Sequence, residues 1–228
     1  MPETPVTLAL IYQAQGRNAE AASIQEDVLA KQKWIMGDDH PHTLTSMHAL
    51  AITYQAQGRN ADAATIQEDV LEKLKRIMGD DHPHTLTMMQ ALALTYQAQG
   101  RNADAASIQE DVLEKQKQIM GTEHPHTLIA MNNLALTYQA PGRNAEAASI
   151  LDDVLEKQKQ IMGDDHPQTL TAMNNLAMTY QAQGRNADAA SIQEDVLDKQ
   201  KQILGHEHPH TLATMQTLGL TYQTIQMQ

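Results

Sequence analysis

Apolar residues in the segment 41–57 recur every three or four positions, which is the spacing of one face of an α-helix. They are Leu44, Met47, Leu50, Ala51 and Tyr54. Pro41 suits the first turn of such a helix, because the N–H that proline lacks would have no partner there. Gly58 suits its end, since glycine readily adopts the left-handed conformation that stops a helix. The pattern therefore predicts a helix from Pro41 to Gln57, which we call helix A.

A second amphipathic pattern covers residues 61–78 and predicts a helix B that ends at Gly79. Its apolar side consists of Ala63, Ile66, Val70, Leu71, Ile77 and Met78. Asp62 lies early in this segment and Lys75 lies late, an order that favours a helix because it complements the helix dipole. We expect Asn60 to be the N-cap, because its side-chain oxygen can accept a backbone N–H of the first turn.

Helix A and helix B together form a unit that recurs every 42 residues. The tyrosines fall at this interval: Tyr12, Tyr54, Tyr96, Tyr138, Tyr180 and Tyr222. Residues 40–81 and 82–123 agree at 34 of 42 positions. A fixed period of this length is the signature of a repeat array, so we predict a single array over residues 1–228. The expected units are 1–39, 40–81, 82–123, 124–165 and 166–207, followed by a terminal helix within 208–228.

The composition agrees with an array and excludes several functions. The 228 residues include one tryptophan, six tyrosines and no phenylalanine, so we expect the tyrosine of each A helix to lie in the core. Because there is no cysteine, disulfides, thiolate nucleophiles and zinc–thiolate sites are excluded. The net charge of −12 argues against nucleic-acid binding, which needs clustered lysine and arginine.

Two features of the sequence bear on location. No apolar run approaches the ~18 residues that cross a bilayer, so we predict no membrane partner. Residues 1–5 contain no basic region followed by an apolar stretch, so we predict no signal peptide. We therefore expect a cytoplasmic protein.

The links between units are rich in histidine and aspartate. The histidines of these links are His40, His42, His82, His84, His124, His126, His166, His208 and His210. Such side chains can bind divalent metal ions, with His40, His42, His82 and His84 as weak candidates. We favour helix capping, because equivalent residues of successive units should lie about 10 Å apart, too far to share one ion. No catalytic motif is present, so we predict no catalytic residue, no enzyme and no cofactor.

The unit of helix, glycine turn and helix resembles the tetratricopeptide repeat. That pattern has leucine, a small residue, tyrosine, glycine and alanine in order, and the corresponding residues are Leu50, Ala51, Tyr54, Gly58 and Ala63. Met47 stands where the pattern has tryptophan, and the unit has 42 residues where the pattern has about 34. This longer unit looks like the repeats of kinesin light chains and the C-terminal arrays of fungal and bacterial NACHT/NB-ARC receptor proteins.

The resemblance covers the chain from Pro5 to about Ile225 and implies its fold class. We expect an all-α, right-handed superhelical solenoid of antiparallel helix pairs, with five full units and a terminal helix. The A helices of tetratricopeptide proteins line a concave groove, and here every charged residue except Glu3 lies in a B helix or a turn. The groove is therefore expected to be uncharged. Its expected lining residues are His48, Ile52, Gln90, Leu94, Asn132, Leu136, Asn174, Met178 and Gln216, with Asn133 and Asn175 beside them.

These features predict a non-catalytic scaffold, part of a larger protein, that binds a protein or peptide in the groove. The basic residues that clamp a C-terminal carboxylate in the chaperone-binding branch of the family are absent, which favours an extended peptide held by amide and aliphatic contacts. One alternative is head-to-tail self-association through ends that lack polar caps. The other is metal binding at the histidine links. Trp34 occupies a surface position whose role the sequence leaves open.

Overall fold

The computed structural model describes residues 5–140 and 142–227, which contain eleven α-helices and no strand. The A helices are α1 (Pro5–Ala14), α3 (Pro41–Ala56), α5 (Pro83–Ala98), α7 (Pro125–Gln139), α9 (Pro167–Ala182) and α11 (Pro209–Gln226). The B helices are α2 (Asn18–Met36), α4 (Asn60–Met78), α6 (Asn102–Met120), α8 (Asn144–Met162) and α10 (Asn186–Leu204). The predicted all-α fold is therefore confirmed. None of these helices is long and apolar enough to cross a membrane. Glu3 and the other residues of 1–4, where a signal peptide was sought, lie outside the described part.

The chain divides after Val112 into two compact units, which we call unit 1 and unit 2. In unit 1, Gln57 after α3 donates Nε2 to the carbonyl of Asn18 at the start of α2 (2.5 Å). Thr43 at the start of α3 donates its hydroxyl to the carbonyl of Gly37 after α2 (2.8 Å). These two bonds join opposite ends of the helices, so α2 and α3 run antiparallel. In unit 2, the same pair of bonds joins α8 and α9.

A histidine precedes each A helix from α3 onward and caps it. The backbone N–H of His42 donates to His40 Nδ1 (3.2 Å), and Pro41 is the first helical residue. The equivalent caps are His82, His124, His166 and His208. The predicted capping role of these histidines is confirmed, and it follows from the free N–H groups that every helix start presents.

The turn from helix A to helix B is closed by a glycine followed by an arginine. Gly58 has a φ of +75°, and the backbone N–H of Arg59 donates to the carbonyl of Tyr54 (2.8 Å), which is the bonding of a glycine C-cap. Helix α4 then begins at Asn60, so the prediction that Asn60 is the N-cap is wrong. Arg59 is the N-cap because the tight turn leaves a single residue before the helix. Its guanidinium lies 3.8 Å from the Tyr54 ring centre and pairs with Asp62 (2.7 Å).

The core lies between A and B helices, largely as the periodicity predicts. The buried residues of one helix pair include Leu44, Met47, Leu50, Ala51, Tyr54, Ala63 and Val70. Tyr96 and Tyr138 are buried as well, whereas Tyr222 is 40% exposed because no described helix follows α11. The tyrosine prediction is therefore confirmed for Tyr54, Tyr96 and Tyr138 and wrong for Tyr222, and Tyr12 and Tyr180 are half-buried.

Two predicted core residues at the end of α4 are instead exposed. Ile77 is 48% exposed and Met78 is 37% exposed, so the predicted apolar side of helix B is wrong in its last turn. The B helix has 19 residues and the antiparallel A helix before it has 16, so the last turn of B extends beyond the helix that covers the rest.

A buried polar contact joins successive A helices to the B helix between them, and the apolar pattern did not indicate it. In unit 1, Gln13 Nε2 on α1 donates to the hydroxyl of Thr53 on α3 (2.5 Å), and that hydroxyl donates to Gln25 Oε1 on α2 (2.6 Å). Thr53 has no solvent exposure. One buried threonine thus connects three helices.

Candidate functional site

One large apolar residue on each A helix is exposed at the same position of the repeat. These residues, which we call the A-face row, are Leu10, Ile52, Leu94, Leu136, Met178 and Leu220, and they are 37–58% exposed. The residue directly before Ile52, Ala51, has no solvent exposure. Single exposed apolar residues are common on protein surfaces, but each unit exposes three of these residues at one repeat position, and grouped apolar exposure is typical of interaction surfaces.

The polar residues predicted for the groove lie one helical turn before the A-face row. His48, Gln90, Asn132 and Asn174 are half-buried, and Gln216 is exposed. The four amide side chains and the neutral imidazole of His48 can donate and accept hydrogen bonds without carrying a charge. The A helices therefore present an apolar row and an amide-rich row beside each other.

Two of the predicted asparagines are hydrogen-bonded to each other in unit 2. Asn175 on α9 donates Nδ2 to Asn132 Oδ1 on α7 (3.0 Å). Asn133 is half-buried beside Asn132, and its backbone carbonyl accepts the hydroxyl of Thr137 (3.0 Å). The bond between Asn132 and Asn175 fixes the orientation of both amides on the surface of two successive A helices.

His48 is the one histidine of the described A helices that lies away from a helix start. Burial lowers the pKa of His48, because the charged imidazolium loses solvation. Its Nδ1 is buried and has no hydrogen-bond partner among the described residues. Burial therefore favours the neutral form of the ring.

A cavity of about 380 Å³ in unit 1 lies between α3, α4 and α5. Its lining includes Leu44, Thr45, His48, Val70, Leu74 and Met88. Its wall is mainly apolar, with His48 as a polar group.

A second cavity, of about 200 Å³, occupies the corresponding place in unit 2, between α9, α10 and α11. Its lining includes Asn174, Met178, Gln200, His210 and Thr214. Gln200 and Thr214 stand at the repeat positions that Leu74 and Met88 occupy in unit 1. The two cavities therefore share one position in the repeat but differ in chemistry.

Neither cavity has an aspartate, glutamate, lysine or arginine among its lining residues. The described A helices likewise carry none of these four residue types. The predicted uncharged character of the A helices thus extends to the cavities beside them, and it favours contacts through apolar surface and neutral hydrogen-bonding groups.

The histidine links bring their rings together without forming a larger cluster. The ring centres of His40 and His42 are 5.3 Å apart, and those of His82 and His84 are also 5.3 Å apart. Within the described ranges, no group of three or more His, Asp or Glu side chains is arranged to hold a metal ion. His40 Nδ1 and His82 Nδ1 accept helix-capping hydrogen bonds.

A second exposed apolar row lies near the ends of the B helices, and sequence reasoning missed it. Its residues are Ile35, Ile77, Ile119, Ile161 and Ile203, which are 46–69% exposed. Trp34, next to Ile35, is 87% exposed. The helical period alone cannot show this exposure, but the greater length of helix B compared with helix A was a usable signal.

The chain belongs to the tetratricopeptide repeat family. The family model matches residues 1–76, 54–118, 91–160, 126–202 and 171–228, which together span the chain. The resemblance of Leu50, Ala51, Tyr54, Gly58 and Ala63 to the repeat pattern is therefore confirmed, and the chain is a tetratricopeptide repeat scaffold. Such repeats typically mediate protein–protein interactions, and the fold is generally non-catalytic.

Solved structures with the same fold include another array of nearly identical TPR-like repeats. The nearly identical TPR-like repeats of a kinesin-light-chain-like protein from Podosopora anserina are 33% identical, with a TM-score of 0.81 over 88% of this chain and 95% of that one. BtubC (BKLC) from P. vanneervenii is 19% identical, with a TM-score of 0.72 over 92% of this chain and 83% of that one. The apo form of RapI is 13% identical, with a TM-score of 0.77 over 97% of this chain and 60% of that one. No curated protein sequence matches the chain significantly.

Proposed function

We propose that the A-face row and the amide-rich residues beside it bind an extended segment of a protein or peptide. The observation that carries this proposal is the exposure of one large apolar residue on each of the described A helices, which carry no charged side chains. An extended peptide rises about 3.3 Å per residue. Packed helices lie about 8–10 Å apart, so within one unit roughly every third peptide side chain would meet a member of the row.

The polar residues supply the second kind of contact that such a ligand needs. An extended peptide carries unpaired backbone N–H and C=O groups, and amide side chains can pair with both. Gln90 and Asn132 lie one turn before Leu94 and Leu136, so α5 and α7 each offer an amide beside an apolar contact. The proposed function is non-catalytic recognition, as part of a larger protein, and it fits the general role of the family.

A peptide selection with matched variants tests this proposal. A displayed library of random peptides is selected on the immobilised chain, and the Kd of enriched synthetic peptides is measured by calorimetry. Ile52→Arg places a charge in the A-face row, whereas Ile77→Arg places the same charge at an equally exposed isoleucine of a B helix. We expect Ile52→Arg to weaken binding by about tenfold or more, because an apolar contact is lost, and Ile77→Arg to leave binding unchanged.

Unit 2 offers an independent pair of variants for peptides that bind there. Leu136→Arg changes the A-face row, and Ile161→Arg changes the B-helix row. If both A-face variants bind every enriched peptide as tightly as the parent chain, the proposal is wrong. If binding is lost only in the Ile77 or Ile161 variants, the ligand contacts the B helices instead.

The exposed side of α11 supports self-association as a second candidate function. Leu212 is 50% exposed and Met215 is 43% exposed, whereas the equivalent Leu170 and Met173 of α9 are buried in the core cluster with Val196. A second copy that covers this side of α11 would bury the same residues. Sedimentation velocity over a hundredfold range of concentration should then show association, and Met215→Glu should abolish it. A parent chain that stays monomeric throughout would contradict this second candidate.

A further inference from the structure

The cavity of about 380 Å³ in unit 1 is lined by two histidines and two methionines, which are His48, His84, Met78 and Met88. Imidazole nitrogens and thioether sulfurs are ligands that suit the soft ion Cu(I). The chain has no cysteine, so no thiolate competes with these side chains for such an ion. The set holds only two histidines, so it differs from the groups of three or more His, Asp or Glu that the described ranges lack.

Two of the four residues occur only once at their position of the repeat. His48 stands where the later A helices have glutamine or asparagine, and Met88 stands where the other units have serine, alanine or threonine. Residues 40–81 and 82–123 agree at 34 of 42 positions, yet both of these departures line the same cavity. Met78 and His84, in contrast, recur in other units. The cavity thus adds a second histidine and a second methionine to a pair that is common in the array.

The packing of successive A helices brings His48 and Met88 together. In unit 2, Asn132 has the repeat position of His48, and it accepts a hydrogen bond from Asn175 on the next A helix (3.0 Å). Asn175 lies three residues after Ala172, which has the repeat position of Met88, and residues with this spacing are neighbours on one helix face. The same packing in unit 1 directs His48 towards the face of α5 that carries Met88.

The other histidine and methionine lie at the mouth of the cavity. His84 is one helical turn before Met88 on α5, and side chains four residues apart are neighbours on a helix. Met78 ends α4, and the Thr85 hydroxyl donates to the carbonyl of Gly79 (2.8 Å), so the start of α5 lies against the end of α4. His84 is exposed and Met78 is 37% exposed, so an ion can enter from solvent.

We propose that these two histidines and two methionines bind a single Cu(I) ion. His48 binds through Nε2, because its Nδ1 is buried. Methionine is flexible enough to bring its sulfur to an ion from either wall of the cavity.

The chemistry of the lining favours Cu(I) over other ions. The lining residues include no aspartate or glutamate, so a divalent ion would enter without a compensating charge. Mg²⁺ and Ca²⁺ need oxygen ligands, and Zn²⁺ takes thiolate, imidazole and carboxylate ligands. A neutral set of nitrogen and sulfur ligands suits a soft ion with a single charge. The apolar side chains of Val70 and Leu74 limit the access of water, which favours the lower charge of Cu(I) over that of Cu(II).

Methionine methyl signals test the site directly. The chain is labelled with 13C in its methionine methyl groups and titrated with Cu(I) in the absence of oxygen, with ascorbate as the reductant. Met78→Leu and Met88→Leu identify the two signals. We expect the first equivalent of Cu(I) to shift both signals and to leave that of Met178, which lines the unit 2 cavity, in place. Zn(II) is the control ion and should shift neither, because thioethers are not among its usual ligands.

Competition with a chromophoric Cu(I) chelator gives the affinity of the parent and of each variant. His48→Gln copies Gln90, and Met88→Thr copies Thr214, so the repeat accepts both side chains. We expect each variant to bind Cu(I) about tenfold or more weakly, because one ligand is lost. His84→Gln changes an exposed residue and should weaken binding in the same way, even if Met88→Thr lowers the Tm.

The matched controls change the same residue types outside this cavity. His126→Gln alters an exposed link histidine, Met178→Leu alters the A-face row, and both should leave the affinity for Cu(I) unchanged. The proposal is wrong if the first equivalent of Cu(I) moves neither methionine signal of the cavity, or if Zn(II) moves them equally. It is also wrong if His48→Gln and His84→Gln both bind Cu(I) as tightly as the parent chain does.

Discussion

The hydroxyl of Thr95 on α5 donates a hydrogen bond of 2.5 Å to Gln67 Oε1 on α4, and both residues are completely buried. The same hydroxyl accepts from Gln55 Nε2 on α3 (2.5 Å). In unit 2, however, Leu151 stands at the repeat position of Gln67, and it too is completely buried. The repeat position shared by Gln67 and Leu151 can therefore hold either a hydrogen-bonded amide or an apolar side chain.

This pair predicts different effects for two substitutions at one contact. Thr95→Val keeps the shape but leaves Gln67 Oε1 buried without a donor, so we expect a loss of about 1–3 kcal/mol in the free energy of unfolding. Gln67→Leu removes the amide, including an Nε2 that has no partner among the described residues, and Thr95 can still bond to the Ala91 carbonyl (3.0 Å). We expect it to change stability by less than about 1 kcal/mol.

Urea unfolding of both variants, monitored by circular dichroism, checks this prediction. The comparison is between transition midpoints, because a repeat array need not unfold in two states. If Gln67→Leu costs as much stability as Thr95→Val, the hydrogen bond itself is indispensable, and Leu151 is not a guide to that position.

His48 predicts part of the pH dependence of stability. Burial lowers the pKa of His48 in the folded chain, whereas the unfolded chain should have the ordinary value near 6.5. Between these two values the unfolded state binds the proton more readily, so stability is lost as the pH falls below about 6.5. His48→Asn, which copies Asn132 and Asn174, removes this loss. The fall in Tm between about pH 7.5 and about pH 5.5 should therefore be smaller in the variant.

The exposed link residue His42 provides the control for removing a histidine. His42→Asn should reproduce neither the direction nor the size of the His48→Asn effect. His84, which lines the same cavity as His48, stays in place in both variants. Equal changes in the two variants would mean that burial of His48 is not the cause.

Two glycines predict opposite results for the same substitution. Gly58 has a φ of +75°, so an alanine there would be strained, and Gly58→Ala should cost about 1–2 kcal/mol. Gly219 lies inside α11 without a positive φ, and a Cβ there would meet no atom within 4 Å. Gly219→Ala should stabilise the chain by about 1 kcal/mol, because glycine is a poor helix former and the equivalent residue in α3 is Ala51.

Thermal unfolding of the two glycine variants at one pH gives the measurement. Gly58→Ala should lower the Tm, and Gly219→Ala should raise it. A lower Tm for Gly219→Ala would show that the added methyl group disturbs packing that the described residues do not reveal.

Most of the fold could be predicted from the sequence, but only part of the candidate site could. The helix spacing of Leu44, Met47 and Tyr54 identifies helix A because periodicity is a local property. The exposure of Ile52 followed from a resemblance to a known repeat, not from its own surroundings. The exposure of Ile77 was missed, because an isoleucine near a helix end has the same sequence pattern whether or not a neighbour covers it.

The sequence by itself determined the 42-residue period, the helix pairs, the glycine turns and the uncharged A helices. The tertiary structure alone decided which polar groups find partners. Gln67 lies 28 residues from the threonine that donates to it, whereas the acceptor of Gln200 has no such donor. Both are glutamines of a B helix, but they occupy different positions of the repeat, and Gln200 shares its position and its unpartnered Oε1 with Gln32, Gln116 and Gln158. The difference arises because hydrogen bonding in the core depends on residues that only the packing of successive helices brings together.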